Sequence, residues 1–180
     1  MKNFEMQATV DALLGLYQSF NEVVDERLLE HSIQTAQLAE EEGYDDEVVL
    51  AAFFHDIGQL LAAGHQYQAY GRIGSEYLRA NGFSEKVTQV VVMHTEAERY
   101  LCWKFPERVR QLDEYRLQRL YAQGGIMLER EAKAYEKNPY FYLSLKVKEW
   151  DDEAPLRSRP VLDLEPYRRM ALQHLQRQVG

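Results

Sequence analysis

One cysteine, Cys102, stands in 180 residues, so the chain can close no internal disulfide and build no cysteine cage around a metal. Any bound metal must be held by histidine and carboxylate. Long apolar runs are missing too. The longest, Val48 to Phe54, has seven residues, against the roughly 20 needed to span a bilayer. The opening MKNFEMQATVD has no signal-peptide core. A cytoplasmic location and no membrane partner are therefore expected. Basic residues are in deficit, 21 against 29 acidic ones, for a net charge of −8. That balance repels a phosphate backbone unless the cations gather on one face, so no nucleic-acid partner is expected. Proline and glycine are scarce at 5 and 10 positions, and 46% of residues are hydrophobic, the make-up of a compact globular chain. At this length one domain over residues 1–180 is expected.

What is present is helical periodicity. Met6, Val10, Leu13, Leu14 and Tyr17 recur at three- and four-residue steps and predict a helix over 4–20. A second runs from Asp25 to Glu42, with Leu28, His31, Thr35 and Leu38 on one stripe and Gly43 as its stop. An Asp45-Asp46 cap opens a third, VVLAAFFHDIGQLLAA, too apolar on every side to be anything but central. GHQYQAYG reads as a loop, followed by a helix over 72–80. Ser84 caps the next, which places Val87, Val90, Val91, His94, Glu98 and Leu101 on one stripe and ends at Pro106. Helical segments over 107–122, 128–137 and 140–153, a PLRSRP linker and a last helix over 165–178 complete the chain. No strand period and no internal repeat is found. The expected fold class is all-α, a single helical bundle.

A buried carboxylate loses several kcal/mol of hydration that a partner must replace, and Asp56 lies in the most apolar segment of the chain. Adjacent helical residues point about 100° apart, so His55 and Asp56 cannot pair face to face, yet both can reach an ion between neighbouring helices. Alone, His31 or His94 reads as a core histidine. Together, three inward histidines and an adjacent Asp on three helices point to a shared ion, with Asp151 as a further carboxylate. A nitrogen and oxygen donor set suits Fe, Mn or Mg.

His31, the His55-Asp56 pair and the distant Asp151 resemble the four core positions of the HD-domain superfamily. More narrowly, the series LLEHSIQTA, AAFFHDIGQL, GRIGSEYL, GFSEKV, HTEAERYL, QGGIM and KEWDD, over about residues 25–154, resembles the HD-domain diiron oxygenases of organophosphonate breakdown and related phosphohydrolases. The resemblance implies one iron on His31, His55, Asp56 and Asp151, with Asp56 bridging to a second iron on His94 and one more ligand. That last ligand departs from the family, whose histidine is replaced by Tyr70 ahead of Arg72-Ile73-Gly74. Three readings follow: Tyr70 ligates as a phenolate, His65 substitutes, or the second site is empty.

Further departures fall where the resembling oxygenases hold their anionic substrate. Gln59 stands for a histidine and Glu98 for a lysine; Asp113, Tyr115 and Arg116 stand for small hydroxyl residues. An inward Glu98 would repel a phosphonate at close range and favour a neutral or cationic substrate, or act as a base. Asp56, Glu98 and Tyr70 are thus the candidate catalytic residues; His31, His55, Asp56, His94 and Asp151 are the candidate metal ligands. The expected function is an iron-dependent oxygenase, with one or two Fe ions, taking O2 and a small organic, phosphonate-like substrate. The alternatives are a phosphohydrolase using one Mn or Mg ion to activate water and a metal- or ligand-binding protein without catalysis. The final helix covers either the core or a second subunit, and the oligomeric state is left open.

Overall fold

The structure, a computed structural model, describes residues 3–23, 27–62, 70–158, 160 and 162–179. The described residues form α1 (Asn3–Val23), α2 (Arg27–Glu41), α3 (Asp46–Phe54), α4 (Ile57–Leu61), α5 (Tyr70–Ala80), α6 (Glu85–Lys104), α7 (Glu114–Ala122), α8 (Glu129–Tyr135), α9 (Phe141–Glu153) and α10 (Glu165–Val179). No strand occurs among them, and the fold is all-α as expected.

Local chemistry sets these boundaries. Gly43, at φ +77°, closes α2, where Tyr44 N–H reaches back to the Ala39 carbonyl at 3.1 Å. The Asp45 side chain then opens α3 by accepting from the N–H groups of Glu47 and Val48 at 3.1 and 3.2 Å. Every residue from Val48 to Phe54 is buried, which makes α3 the central helix. It packs against α2, α6, α9 and α10. The Tyr167 ring of α10 stacks on Phe53 at 4.5 Å, so the last helix covers this chain's own core. A second, smaller cluster joins α6 and α8 through Met93, Ala97, Tyr100, Ala132 and Tyr135.

Two expectations are corrected. The third helix does not run unbroken through HDIGQLL: it ends at Phe54, and α4 restarts at Ile57. Asp56 occupies the junction at φ −103°, ψ 9°, the bridge region where active-site residues often sit. The break lets α4 lie directly on α5. A Cβ on Gly58 would come within 1.9 Å of the Tyr70 carbonyl oxygen, and one on Gly74 within 3.0 Å of the Gly58 nitrogen. Only glycine permits this approach. The segment 107–122 is also two elements. A 3-10 helix covers Pro106–Gln111, and Asp113 caps α7 by accepting from Arg116 N–H at 2.8 Å.

Candidate metal centre

Four parts of the bundle each send a donor to one place. His31 comes from the first half of α2, His55 and Asp56 from the α3–α4 junction, His94 from the middle of α6, and Asp151 from the end of α9. His31 Nε2 lies 2.9 Å from Asp151 Oδ1 and 3.2 Å from His55 Nε2, and His55 Nε2 is 3.8 Å from Asp151 Oδ1. Asp56 divides its carboxylate between two neighbours, with Oδ2 3.4 Å from His55 Nε2 and Oδ1 3.7 Å from His94 Nε2. Two groups thus have donor atoms within 4.8 Å of one another, His31–His55–Asp151 and His55–Asp56–His94. The expected set of His31, His55, Asp56 and Asp151 is not one close group; Asp56 joins it through the shared His55.

The rings are held ready for a cation. His55 Nδ1 lies 2.7 Å from the Ala52 carbonyl and His94 Nδ1 2.8 Å from that of Val91. In both rings this contact to Nδ1 turns Nε2 toward the centre, the second interaction that orients a metal-binding imidazole, and in a neutral His94 it leaves a bare lone pair on Nε2. Burial pulls His55 down, but Asp56 and Asp151 outweigh it and raise its pKa to about 10. Burial likewise works against ionised Asp56, yet His55 and Arg119 hold it well below the usual carboxylate range. Asp151 is held well below that range against the same burial, by Lys148, His31 and His55. Burial, with the charge on His55 acting the same way, keeps His94 below its ordinary value. Three Nε2 atoms and two ionised carboxylates, converging at 2.9 to 3.8 Å, fit a small divalent cation, which would take the place of the proton on His55. The set contains no sulfur; the Cys102 thiol is turned to Glu98, 3.6 Å away.

His31, Asp56, His94 and Asp151 line a cavity of about 690 Å³, with His55 buried behind them. Its walls carry Gln59 and Thr95, Glu98 of α6, Tyr115, Arg116 and Arg119 of α7, and Lys148 of α9. Lys148 is buried, with its ammonium 2.6 Å from Asp151 Oδ2, 2.9 Å from Asp152 and 3.0 Å from Glu98. By occupying Oδ2 it leaves Oδ1 of Asp151 for the histidines. Arg119 Nη2 stands 3.5 Å from Asp56 Oδ1, with its guanidinium over the Tyr115 ring at 5.8 Å.

Comparison with known proteins gives the family. The family model of the HD domain matches residues 28–132, from the second helix through α8. The chain belongs to the HD-domain family. An uncharacterised protein of Acanthamoeba polyphaga mimivirus is 33% identical over 178 residues, 92% of this chain and 81% of that one. The hydroxymethylphosphonate dioxygenase of Gimesia maris is 31% identical over 147 residues, 77% of this chain and 73% of its own. The glycine-betaine-forming [1-hydroxy-2-(trimethylamino)ethyl]phosphonate dioxygenase of Leisingera caerulea is 31% identical over 132 residues, covering 69% and 67%.

Within this HD protein the candidate catalytic residues fare differently. Asp56 belongs to the donor group with His55 and His94 and reaches the other through the shared His55. Glu98 does line the cavity, but it is no free base. Arg108 binds it at 2.6 and 3.0 Å and Lys148 at 3.0 Å. Against the effect of burial, these cations bring its pKa to about 2. The expectation that Glu98 repels an anion is corrected for the same reason: its charge is cancelled where it stands. Tyr70 opens α5, buried, with its backbone against Gly58. His65 lies outside the described residues. Trp150 is fully buried and donates to Glu42 at 2.7 Å, whereas Tyr142 on the same helix is 66% exposed. No helix among the described residues is long and apolar enough to cross a membrane.

Sequence reasoning missed Lys148, Arg108 and Arg119. Lys148 carried a signal, since it precedes Asp151 and Asp152 by three and four residues on one helix. Arg108 and Arg119 carried none, because their partners Glu98 and Asp56 are on other elements.

Proposed function

We propose that this HD protein is a metal-dependent oxygenase acting on a small organic anion of the phosphonate kind, with residues 1–180 forming one catalytic domain. The observation that carries the reading is the two-histidine, one-carboxylate set His31, His55 and Asp151, with Asp56 between His55 and His94 beside it. A set of that type with open positions suits non-haem iron in oxygenases. The names of the Gimesia maris and Leisingera caerulea relatives support the same chemistry and substrate class. Bound iron would supply the activation of O2. The chain's own residues hold the rest of the site: Asp56 and Asp151 stay ionised as oxygen donors, and the Nδ1 contacts of His55 and His94 fix the orientation of both rings. Arg116 and Arg119 line the wall where an anion would be met, opposite a Glu98 already neutralised by Arg108 and Lys148.

A second reading, hydrolysis of a phosphate ester with one Mn or Mg ion, is favoured by the guanidinium on the Oδ1 side of Asp56. The two are separated by loading the protein with iron or with manganese and offering hydroxymethylphosphonate or p-nitrophenyl phosphate. Iron-dependent O2 uptake with the phosphonate supports the oxygenase. Anaerobic release of p-nitrophenol by the manganese form, with no O2 uptake, replaces it by the hydrolase. Asp56→Ala should lose the metal under both readings, and full metal retention in that variant sinks both.

A further inference from the structure

The two faces of Asp56 are not equivalent. Its Oδ2 turns to His55, beyond which His31 and Asp151 converge. Its Oδ1 turns to His94 and meets Arg119 Nη2 at 3.5 Å. An arginine offers five N–H donors, no lone pair and a charge that is not given up in proteins, so it can neither ligate a cation nor step aside by losing a proton. The guanidinium is held from two sides, by Asp56 on one and by the Tyr115 ring, one turn earlier on α7, on the other. Asp151 adds to the negative surroundings it answers. A second divalent ion between His94 and Asp56 Oδ1 would have two ligands from the donor group there and a fixed positive charge beside it.

We infer that Arg119 is the resident cation on the Oδ1 face of Asp56, so that the centre takes a single metal ion on the face formed by His31, His55 and Asp151. This rests on the metal reading above but concerns the number of ions, not the reaction. With one ion, the guanidinium supplies on the His94 side the positive charge that a second ion would otherwise bring, and it does so from a side chain that also faces the cavity.

Manganese alone is the probe. The intact chain is loaded with excess Mn2+ and freed of unbound ion. Bound manganese is counted by mass spectrometry, and its electron paramagnetic resonance spectrum is recorded. The wild type should hold one ion per chain with the spectrum of an isolated Mn2+. Arg119→His, which puts a neutral donor beside His94 and Asp56, should hold two with a spin-coupled spectrum, whereas Arg119→Lys, which keeps a cation, should hold one. Two ions in the wild type overturn the inference and leave the metal reading standing, and so does a single ion in a folded Arg119→His protein. No ion in the wild type overturns the metal reading and this inference with it. If Arg119→His does not fold, as judged by circular dichroism, the wild-type count and spectrum decide alone.

Discussion

Removing the ammonium of Lys148 should expose how far the site depends on a charge that is not itself a metal donor. Lys148 is 5% exposed and lies within 3.0 Å of three carboxylates, those of Glu98, Asp151 and Asp152. In Lys148→Met the side chain keeps its approximate volume, so little packing is lost and the effect is electrostatic. Taking one partner from a buried ion pair costs about 3–5 kcal/mol. Here Arg108 remains against Glu98 and Asp152, which argues for the lower half of that range. For a chain of this size 1 kcal/mol moves the midpoint by about 2–4 °C, so the metal-free variant should melt about 6–16 °C lower. Thermal melts followed by circular dichroism, with a chelator present, give the value. Adding Glu98→Gln removes one of the three facing carboxylates and should recover part of the loss, a coupling read from the double-mutant cycle. Asp151 also loses the group that fixes its Oδ2, so manganese affinity should fall about 10–100-fold. A metal-free Lys148→Met protein melting within 2 °C of wild type would falsify this account of the network.

Acid should act on the same network through Glu98. Its folded pKa of about 2 lies below the ordinary 4.5, so the stability it contributes is fully present above pH 4.5 and is lost as pH falls through 2. The gap in unfolding free energy between wild type and Glu98→Gln, with a ceiling of about 3 kcal/mol, should close across that window in urea titrations; a gap that does not change with pH would count against it. Gly58→Ala should be destabilising by about 1–3 kcal/mol or more, since its Cβ meets the Tyr70 carbonyl at 1.9 Å and backbone must move. Manganese binding should weaken with it because Asp56 is two residues away, and an unchanged melt and affinity would refute the close α4–α5 approach. Asp45→Ala should cost about 1 kcal/mol through the lost cap of α3 and leave manganese affinity unchanged, as measured by denaturation and titration.

Much of the fold could be read from spacing. The stripe through Leu28, His31 and Thr35, the caps at Asp45 and Ser84 and the stop at Gly43 all name local forces, and local forces are what a sequence displays. Convergence of His31, His55, Asp56, His94 and Asp151 was legible because a polar side chain on an apolar face needs a reason to be there. The break at Asp56 was not legible. A helix buried on all sides has no polar face whose phase can slip, so an interruption leaves no mark on the pattern, and the cause, Gly58 against Tyr70, is tertiary. Arg119 was hidden for a related reason, and the spacing of Lys148 to Asp151 and Asp152 was the one mark that either cation left. Long cations on amphipathic helices usually reach solvent, and only the packing of α6, α7 and α9 around the cavity turns these two inward.

The carbonyls of Ala52 and Val91, each holding one imidazole by its far nitrogen, bear on how the protein acquires its ion. They set ring orientation before any metal arrives, and they belong to helices whose packing rests on Phe53, Phe54 and Val90, not on the centre itself. Loading is then closer to a key entering a cut lock than to folding around a seed. Little ordering entropy remains to be lost on binding, and a chelator should strip the ion without unravelling the bundle, the opposite of small domains in which metal affinity is itself the folding energy.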